Sequence, residues 1–271
     1  MSAVDKVFAG SIPELYERYL VPLIFHSYAL DLAGRLGKTN ARVLLEIAAG
    51  TGVVTRAVTS LLPEIERIVA TDLNEPMLAH AKSRLSDRRV EWKQADALAL
   101  PFSDGSFDAV LCQFGVMFFP DKVRAYKEAN RVLKSGGCFL FSVWDRIAEN
   151  EFADIVTEAL AAMFSDDPPQ FLPRTPHGHH DIERIRAELA EAGFSDVSVD
   201  AVDSRSKAGS ARDPAIAYCQ GTPLRNEIEA RNASGLQEAT EHATKAIAKQ
   251  FGDGPVDGRI RAFVITARKM P

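Results

Sequence analysis

Cysteine is scarce in this sequence: Cys112, Cys138 and Cys219 are the only three among 271 residues. The number is odd and none stands in a CxxC pair. That argues against a disulfide framework and leaves buried, reduced thiols as the expectation. Long apolar runs are missing too. None approaches the ~20 residues that a membrane span needs. There is no basic block: Lys and Arg total 32 against 37 Asp and Glu, a formal charge of −5. Backbone-driven nucleic-acid binding needs a clustered positive surface, so neither nucleic acid nor a membrane is expected as a partner. The opening stretch MSAVDKVFAGSIPELYERYL is acidic and interrupted by proline. It lacks the order of a signal peptide, and a cytoplasmic protein is expected. Repeats of 20–50 residues and low-complexity tracts are also absent.

What is present is ordinary globular composition, 46% hydrophobic and 25% charged, arranged in an alternating rhythm. Residues 11–36 read as one or two helices, with Pro22 expected to break or kink them. Residues 41–48, ARVLLEIA, form an apolar run too short for a helix and predict a buried strand. Helix-like GVVTRAVTSLL follows, then strand 66–73, a helix opened by Asn74 as N-cap, strands 89–96 and 107–115, a helix from Asp121, and strand 136–144 after a Ser-Gly-Gly turn. Strands alternating with helices imply βαβ units and a mostly parallel sheet, which binds ligands beyond the carboxyl ends of its strands. Further on come helix 150–164, a proline-rich loop 165–180, a helix ending at Gly193, strand 195–204, a mostly helical stretch 211–251 and a last strand 258–269.

The loop after the first strand is Ala48-Ala49-Gly50-Thr51-Gly52. A dinucleotide fingerprint needs a third glycine where Thr55 stands, and a phosphate loop needs a Lys that is missing after Gly52. Three carboxylates, Glu46, Asp72 and Asp96, end three successive strands. Negative charge there repels a pyrophosphate but suits amino groups and ribose hydroxyls. Asp72 lies 20 residues past Gly52, the spacing of a ribose-gripping acid. The bland alternative makes these acids helix caps or loop residues.

VLLEIAAGTGVVT, VATDLNEPMLAHAK, QADALALPFSDGSFDAVLCQFGVMFFPD and EANRVLKSGGCFLFS, in that order, resemble the motifs of class I S-adenosylmethionine-dependent methyltransferases. The nearest likeness is to the small-molecule branch that includes ubiquinone and menaquinone C-methyltransferases. It covers roughly residues 41–145. The resemblance implies an α/β, Rossmann-like, seven-stranded and mostly parallel sheet with an antiparallel last strand, helices on both faces and an added helical lid. It implies one methyltransferase domain over 1–271: an amino-terminal helical cover at 1–40, a cofactor core at 41–145, and lid insertions at 146–180 and 204–255. It also implies S-adenosylmethionine as cofactor. Glu46 would hold the methionine end, Ala48, Ala49, Gly50, Thr51 and Gly52 would form the loop beneath it, and Asp72 would take the ribose. Leu73 and Met77 would flank the adenine, and Asp96 with Ala97 would meet its edge. Gln113 and Phe114 would sit beside the sulfonium, and Tyr16 would reach the methionine end from the cover. The family usually has glycine at the position of Ala48; alanine there needs φ below zero, which a strand end supplies.

Methyl transfer needs alignment and water exclusion more than a catalytic group, so no signature is required. His26, Tyr16 and His177 are the catalytic candidates, and Trp144 is a candidate pocket wall. The row His177, His179, His180 invites a metal reading, but no Cys is near, and a solvated loop before a helix at Asp181 is expected, with no metal. Leu236, Ala239, Ala243, Ile247 and Phe251 form a stripe expected to pack on the body. The reading is methyl transfer to a small organic acceptor at O, C or N, by a monomer or homodimer. Two rivals stand beside it: an S-adenosylmethionine-binding protein without catalysis, and a nicotinamide oxidoreductase.

Overall fold

The structure, a computed structural model, describes residues 8 and 10–270. The first residues of the expected amino-terminal cover, and with them part of the stretch read as unlike a signal peptide, lie outside the described residues. The chain begins with α1 (Ile12–Leu15), a π-helical stretch Tyr16–Phe25 and α2 (His26–Leu36). Pro22 lies inside the π-helical stretch. The expected break is therefore a change of winding. In an α-helix the proline ring collides with the carbonyl four residues back, and wider winding moves that carbonyl away.

The predicted alternation follows: β1 (Val43–Ile47), α3 (Val53–Leu61), β2 (Arg67–Asp72), α4 (Glu75–Arg84), β3 (Val90–Gln94), β4 (Phe107–Gln113), α5 (Lys122–Val132) and β5 (Leu133–Trp144). Beyond it lie α6 (Glu151–Met163), α7 (Phe171–Arg174), α8 (Ile182–Glu191), β6 (Phe194–Ala208), α9 (Arg212–Gln220), α10 (Leu224–Arg231), α11 (Leu236–Phe251) and β7 (Val256–Lys269). Asn74 holds the cap position of α4 but its side chain makes no cap bond; it turns back to Asp72 Oδ1 instead. The Ser-Gly-Gly turn is not ahead of β5 but inside it. Phe107 pairs with Leu133 and Ala109 with Cys138, so residues 134–137 bulge out of the ladder.

The seven strands form one sheet in the order β3-β2-β1-β4-β5-β7-β6. The pairs β1–β2, β1–β4, β2–β3 and β4–β5 are parallel. Along β6 and β7 the ion pairs Arg205–Asp257, Arg261–Asp203 and Arg268–Asp196 run in opposite numerical senses, as antiparallel neighbours must. Lys269 bonds the Leu133 carbonyl and the Asp145 amide bonds the Arg261 carbonyl, which makes β7 antiparallel to β5 as well. Central strands are buried on both faces, by Leu44, Leu45, Val69, Val110, Phe139 and Phe141 among others.

The chain divides into two compact units. One takes in His26–Val143, His179–Val202 and the residues from Ala262, and holds the parallel strands, with α2 against α3 and α5 against α8. The other takes in the residues through Phe25, Trp144–Gly178 and Asp203–Arg261, and so most of both segments expected as lid. In it α11 packs on α6 and α9, with Phe251 edge-on to Phe152 at 5.1 Å. The stripe Ala239, Ala243 and Ile247 is buried there, as its spacing predicts. Among the described residues no helix is long and apolar enough to cross a membrane.

The histidine row corrects an expectation. Asp181 does cap α8, accepting from the Glu183 and Arg184 amides. His177 and His179, however, are buried rather than solvated. The His177 ring bonds the Asp145 carbonyl (2.9 Å), and the His179 ring meets the Tyr126 hydroxyl (3.3 Å). Each finds a partner, which is what lets an imidazole leave water. Among the described residues no group of three or more His, Cys, Asp or Glu could hold a metal ion.

Candidate active site

The chain winds outward from β1 to β3 and then returns through β4, so β1 and β4 flank the point where strand order reverses. Ligands of such sheets bind at that point. Two residues there have a backbone that L side chains rarely adopt: Ala48 after β1, with φ +55°, and Phe114 after β4, with φ +51°. The expectation that Ala48 keeps φ below zero is thereby overturned. The loop must turn sharply out of β1, and a left-handed residue does so at a cost of about 1–2 kcal/mol. Room for the extra methyl comes from Gly115, where an added Cβ would stand 2.6 Å from Ala48 Cβ and 2.7 Å from Cys112 Sγ. Strain of this kind concentrates where a site fixes its backbone.

The rest of the loop is tied to β2. Ala49 N–H donates to the Thr71 carbonyl (2.9 Å), and Gly50 N–H to Asp72 Oδ2 (2.9 Å). Asp72 Oδ1 accepts from the Asn74 amide at 2.8 Å. Asp72 is thus a loop-fixing acid as well as a candidate ligand. Gly50 and Gly52 have φ of +57° and +78°. A Cβ on Gly52 would stand 2.8 Å from the Trp92 ring, and one on Gly50 would stand 3.6 Å from Met77 Cε. Gly52 then caps α3, in the left-handed conformation. Thr51 is 1% exposed, and its hydroxyl has no hydrogen-bond partner among the described residues.

Glu46 is buried beneath the loop, with Oε2 accepting from the Thr55 hydroxyl at 2.5 Å. Burial pushes its carboxyl up to about 8, against the Thr55 hydrogen bond and the Arg56 charge. Burial also raises Asp72, against its bonds from Asn74 and Gly50. Thr55 stands where the dinucleotide fingerprint has glycine, and its structural task is to hold Glu46. Asp96 is exposed beyond the end of β3 and accepts from the Leu98 amide (2.9 Å), while Ala97 is buried. Leu73 is 46% exposed beside the end of β2. Gln113 ends β4 opposite Ser142, and Phe114 N–H donates to the Ser142 carbonyl (3.1 Å). Phe114 meets Tyr28 edge-on at 5.3 Å.

The catalytic candidates separate. His26 is exposed on α2. Tyr16 and His177 belong to the helical unit and to one row of rings there: Tyr16 stacks on Phe25 (4.9 Å), Phe25 meets Trp144 (6.1 Å), and Trp144 meets His177 (6.1 Å). A carbonyl can only accept, so the His177–Asp145 bond puts the imidazole proton on Nδ1. Sequence reasoning missed Trp92, Thr55 and Gly115. Only contacts made across strands reveal their part.

A buried hydroxyl lacking a partner among the described residues, a loop whose Gly52 leaves no room for a Cβ and carboxylates at three strand ends fit a ligand rich in amino and hydroxyl groups. Residues 45–141 match the family described as "Methyltransferase domain". The chain carries a class I S-adenosylmethionine-dependent methyltransferase domain. The ubiquinone/menaquinone biosynthesis C-methyltransferase UbiE of Escherichia coli O139:H28 is 29% identical over 188 residues, which are 64% of this chain and 73% of that protein. Among solved structures, Haemonchus contortus phosphoethanolamine N-methyltransferase 2, in complex with S-adenosyl-L-methionine, has a TM-score of 0.61 at 19% identity over 99% of this chain and 59% of its own. The [4+2]-cyclase SpnF has a TM-score of 0.60 at 21% identity over 91% and 82%. At such identities these two likenesses show the methyltransferase fold alone.

Proposed function

We propose that residues 48–52 with Glu46, Asp72, Leu73, Met77, Asp96, Ala97, Gln113 and Phe114 hold S-adenosylmethionine, and that the protein methylates a small organic acceptor at O, C or N. The observation that carries this reading is the strained glycine loop with the buried, unpartnered Thr51 hydroxyl at its centre. Bound there, the cofactor supplies a methyl group activated by its sulfonium. The Asp72 carboxylate, placed by two backbone amides, keeps lone pairs for ribose hydroxyls. Asp96 presents an acceptor for the adenine amine. Glu46 carries a proton near neutral pH and releases it when a cationic ligand comes close. The name of the Escherichia coli relative favours a C-methylated, quinone-like acceptor. A formal charge of −5 and the lack of a membrane-crossing helix among the described residues support a cytoplasmic site of action on a small molecule rather than on nucleic acid. The assembly proposed is a monomer or homodimer.

Calorimetric titration with S-adenosylhomocysteine tests the cofactor assignment, after removal of carried-over ligand. About one site per chain is expected, with no heat from NAD. A folded, ligand-free protein that binds neither overturns the assignment. Turnover of methyl-labelled S-adenosylmethionine with phenolic, quinol and amine acceptors tests the rest; binding without turnover favours the non-catalytic rival.

A further inference from the structure

A second cavity, of about 360 Å³, lies at the other end of the sheet from the glycine loop. Its lining includes Ala41, which precedes β1, Asp108 near the start of β4, and the bulge at residues 134–137. The glycine loop leaves β1 at its carboxyl end, so a single ligand does not serve both places.

The cavity is cationic although the protein is acidic. Lys38, Lys134 and Arg268 line it, against Asp108 as the one carboxylate among the described residues of the lining. Asp108 is already compensated. Its Oδ2 accepts from the Arg42 and Val43 amides (2.9 and 2.8 Å), and its Oδ1 from Lys134 Nζ (2.6 Å). These donors hold the carboxyl below its ordinary range in spite of partial burial. The surroundings therefore stabilise an anion at a point the fold itself fills. Two cations remain that Asp108 does not hold. The Lys38 backbone amide donates to the Arg35 carbonyl, but its ammonium has no hydrogen bond or ion pair among the described residues, and the carboxylate paired with Arg268 is Asp196 at 3.8 Å, itself exposed. Thr39, Asn40 and Ser135 add polar groups to the wall. Gly136, in the bulge, borders open space, with nothing within 4 Å of an added Cβ, and its φ of +73° favours glycine.

We propose that this cavity binds a phosphate group, with Lys38 and Arg268 as its counter-ions. Lys38, together with Arg268 once it exchanges its long 3.8 Å contact with exposed Asp196 for the ligand, matches the charge of about −1.5 to −2 that a phosphate monoester carries at neutral pH. A carboxylate would neutralise only half of it. The volume also admits a small organic body on the phosphate; ligand pockets span roughly 300–1,000 Å³.

The test is calorimetric titration of the intact protein with inorganic phosphate and with glycerol 3-phosphate, in chloride buffers of matched ionic strength. Saturable binding is expected, and the double variant K38Q/R268Q is expected to weaken it tenfold or more. Tighter binding of glycerol 3-phosphate identifies a phosphorylated metabolite as the ligand type, and equal binding identifies free phosphate. The same variant is expected to bind S-adenosylhomocysteine as the unaltered protein does, which shows that it is folded and that the two sites are separate. No saturable phosphate binding at 10 millimolar, or equal affinity in the variant, overturns the proposal.

Discussion

Gly115 and Ala48 form a coupled pair, and the coupling can be measured. Gly115 has φ −100°, so alanine there meets no backbone strain. Its methyl would instead stand 2.6 Å from Ala48 Cβ and 2.7 Å from Cys112 Sγ, inside a buried wall. Overpacking of one methyl typically costs about 1–3 kcal/mol. Taking about 2 kcal/mol, Gly115→Ala should lower the melting temperature by about 4–8 °C for a chain of this size. Ala48→Gly alone should change little: release of about 1–2 kcal/mol of left-handed strain is offset by about 0.5–1 kcal/mol of added chain entropy in the unfolded state. In the Gly115→Ala background it should do more, because it also removes the 2.6 Å contact. About half the loss should return, the Cys112 contact remaining. Urea denaturation of the four proteins gives the interaction energy, expected at about 0.5–3 kcal/mol. Equal effects of Ala48→Gly in both backgrounds would show that the two methyl groups do not compete, and the account of how this loop tolerates alanine would fail.

The remaining predictions concern charge and ligand. Glu46 has a folded pKa of about 8 against an ordinary 4.5, so its contribution to stability is complete below 4.5 and is lost as pH rises through 8. His179 is the opposite case. Burial, with Lys122, Arg184 and His180 nearby, lowers it to about 3, so its contribution is present above 6.5 and lost as pH falls towards 3. The carboxylate of Glu188, 3.6 Å away, favours the protonated ring, but its other oxygen is held by Arg184. Between pH 6.5 and 8 the contribution of His179 is complete while that of Glu46 is being lost. Stability should fall there by about 1–2 kcal/mol, and most of that slope should vanish in Glu46→Gln; identical slopes in urea titrations would refute the burial argument. Thr55→Val leaves Glu46 Oε2 buried without its donor and should cost about 1–3 kcal/mol, read by the same denaturation. Asp96→Ala, at an exposed position whose carboxylate accepts from the Leu98 amide, should leave melting nearly unchanged and weaken S-adenosylhomocysteine binding about tenfold, the scale of one charge-assisted hydrogen bond; unaltered affinity removes Asp96 from the site.

The linear sequence by itself determined the alternation of elements and the place of the glycine loop after β1. Buried parallel strands are written as short apolar runs, and the strand-ending acids fall at the loop because chain direction puts every carboxyl end on one edge of the sheet. Asp181 as a helix cap and the buried stripe of α11 were equally legible, since both are local periodic signals. What only the tertiary structure decided are the things made by residues distant in the chain. Ala48 is left-handed because Gly115, 67 positions later, leaves room for its methyl. Thr55 reads as a missing glycine until it is seen donating to Glu46. Asp72 reads as a ligand-binding acid, and only the fold shows that it also holds Gly50 and Asn74. His177 and His179 look like a solvated row because sequence cannot show that a carbonyl and a phenol wait for them in the interior. Local periodicity sets which elements form; burial and hydrogen-bond completion between distant segments set what each polar residue does.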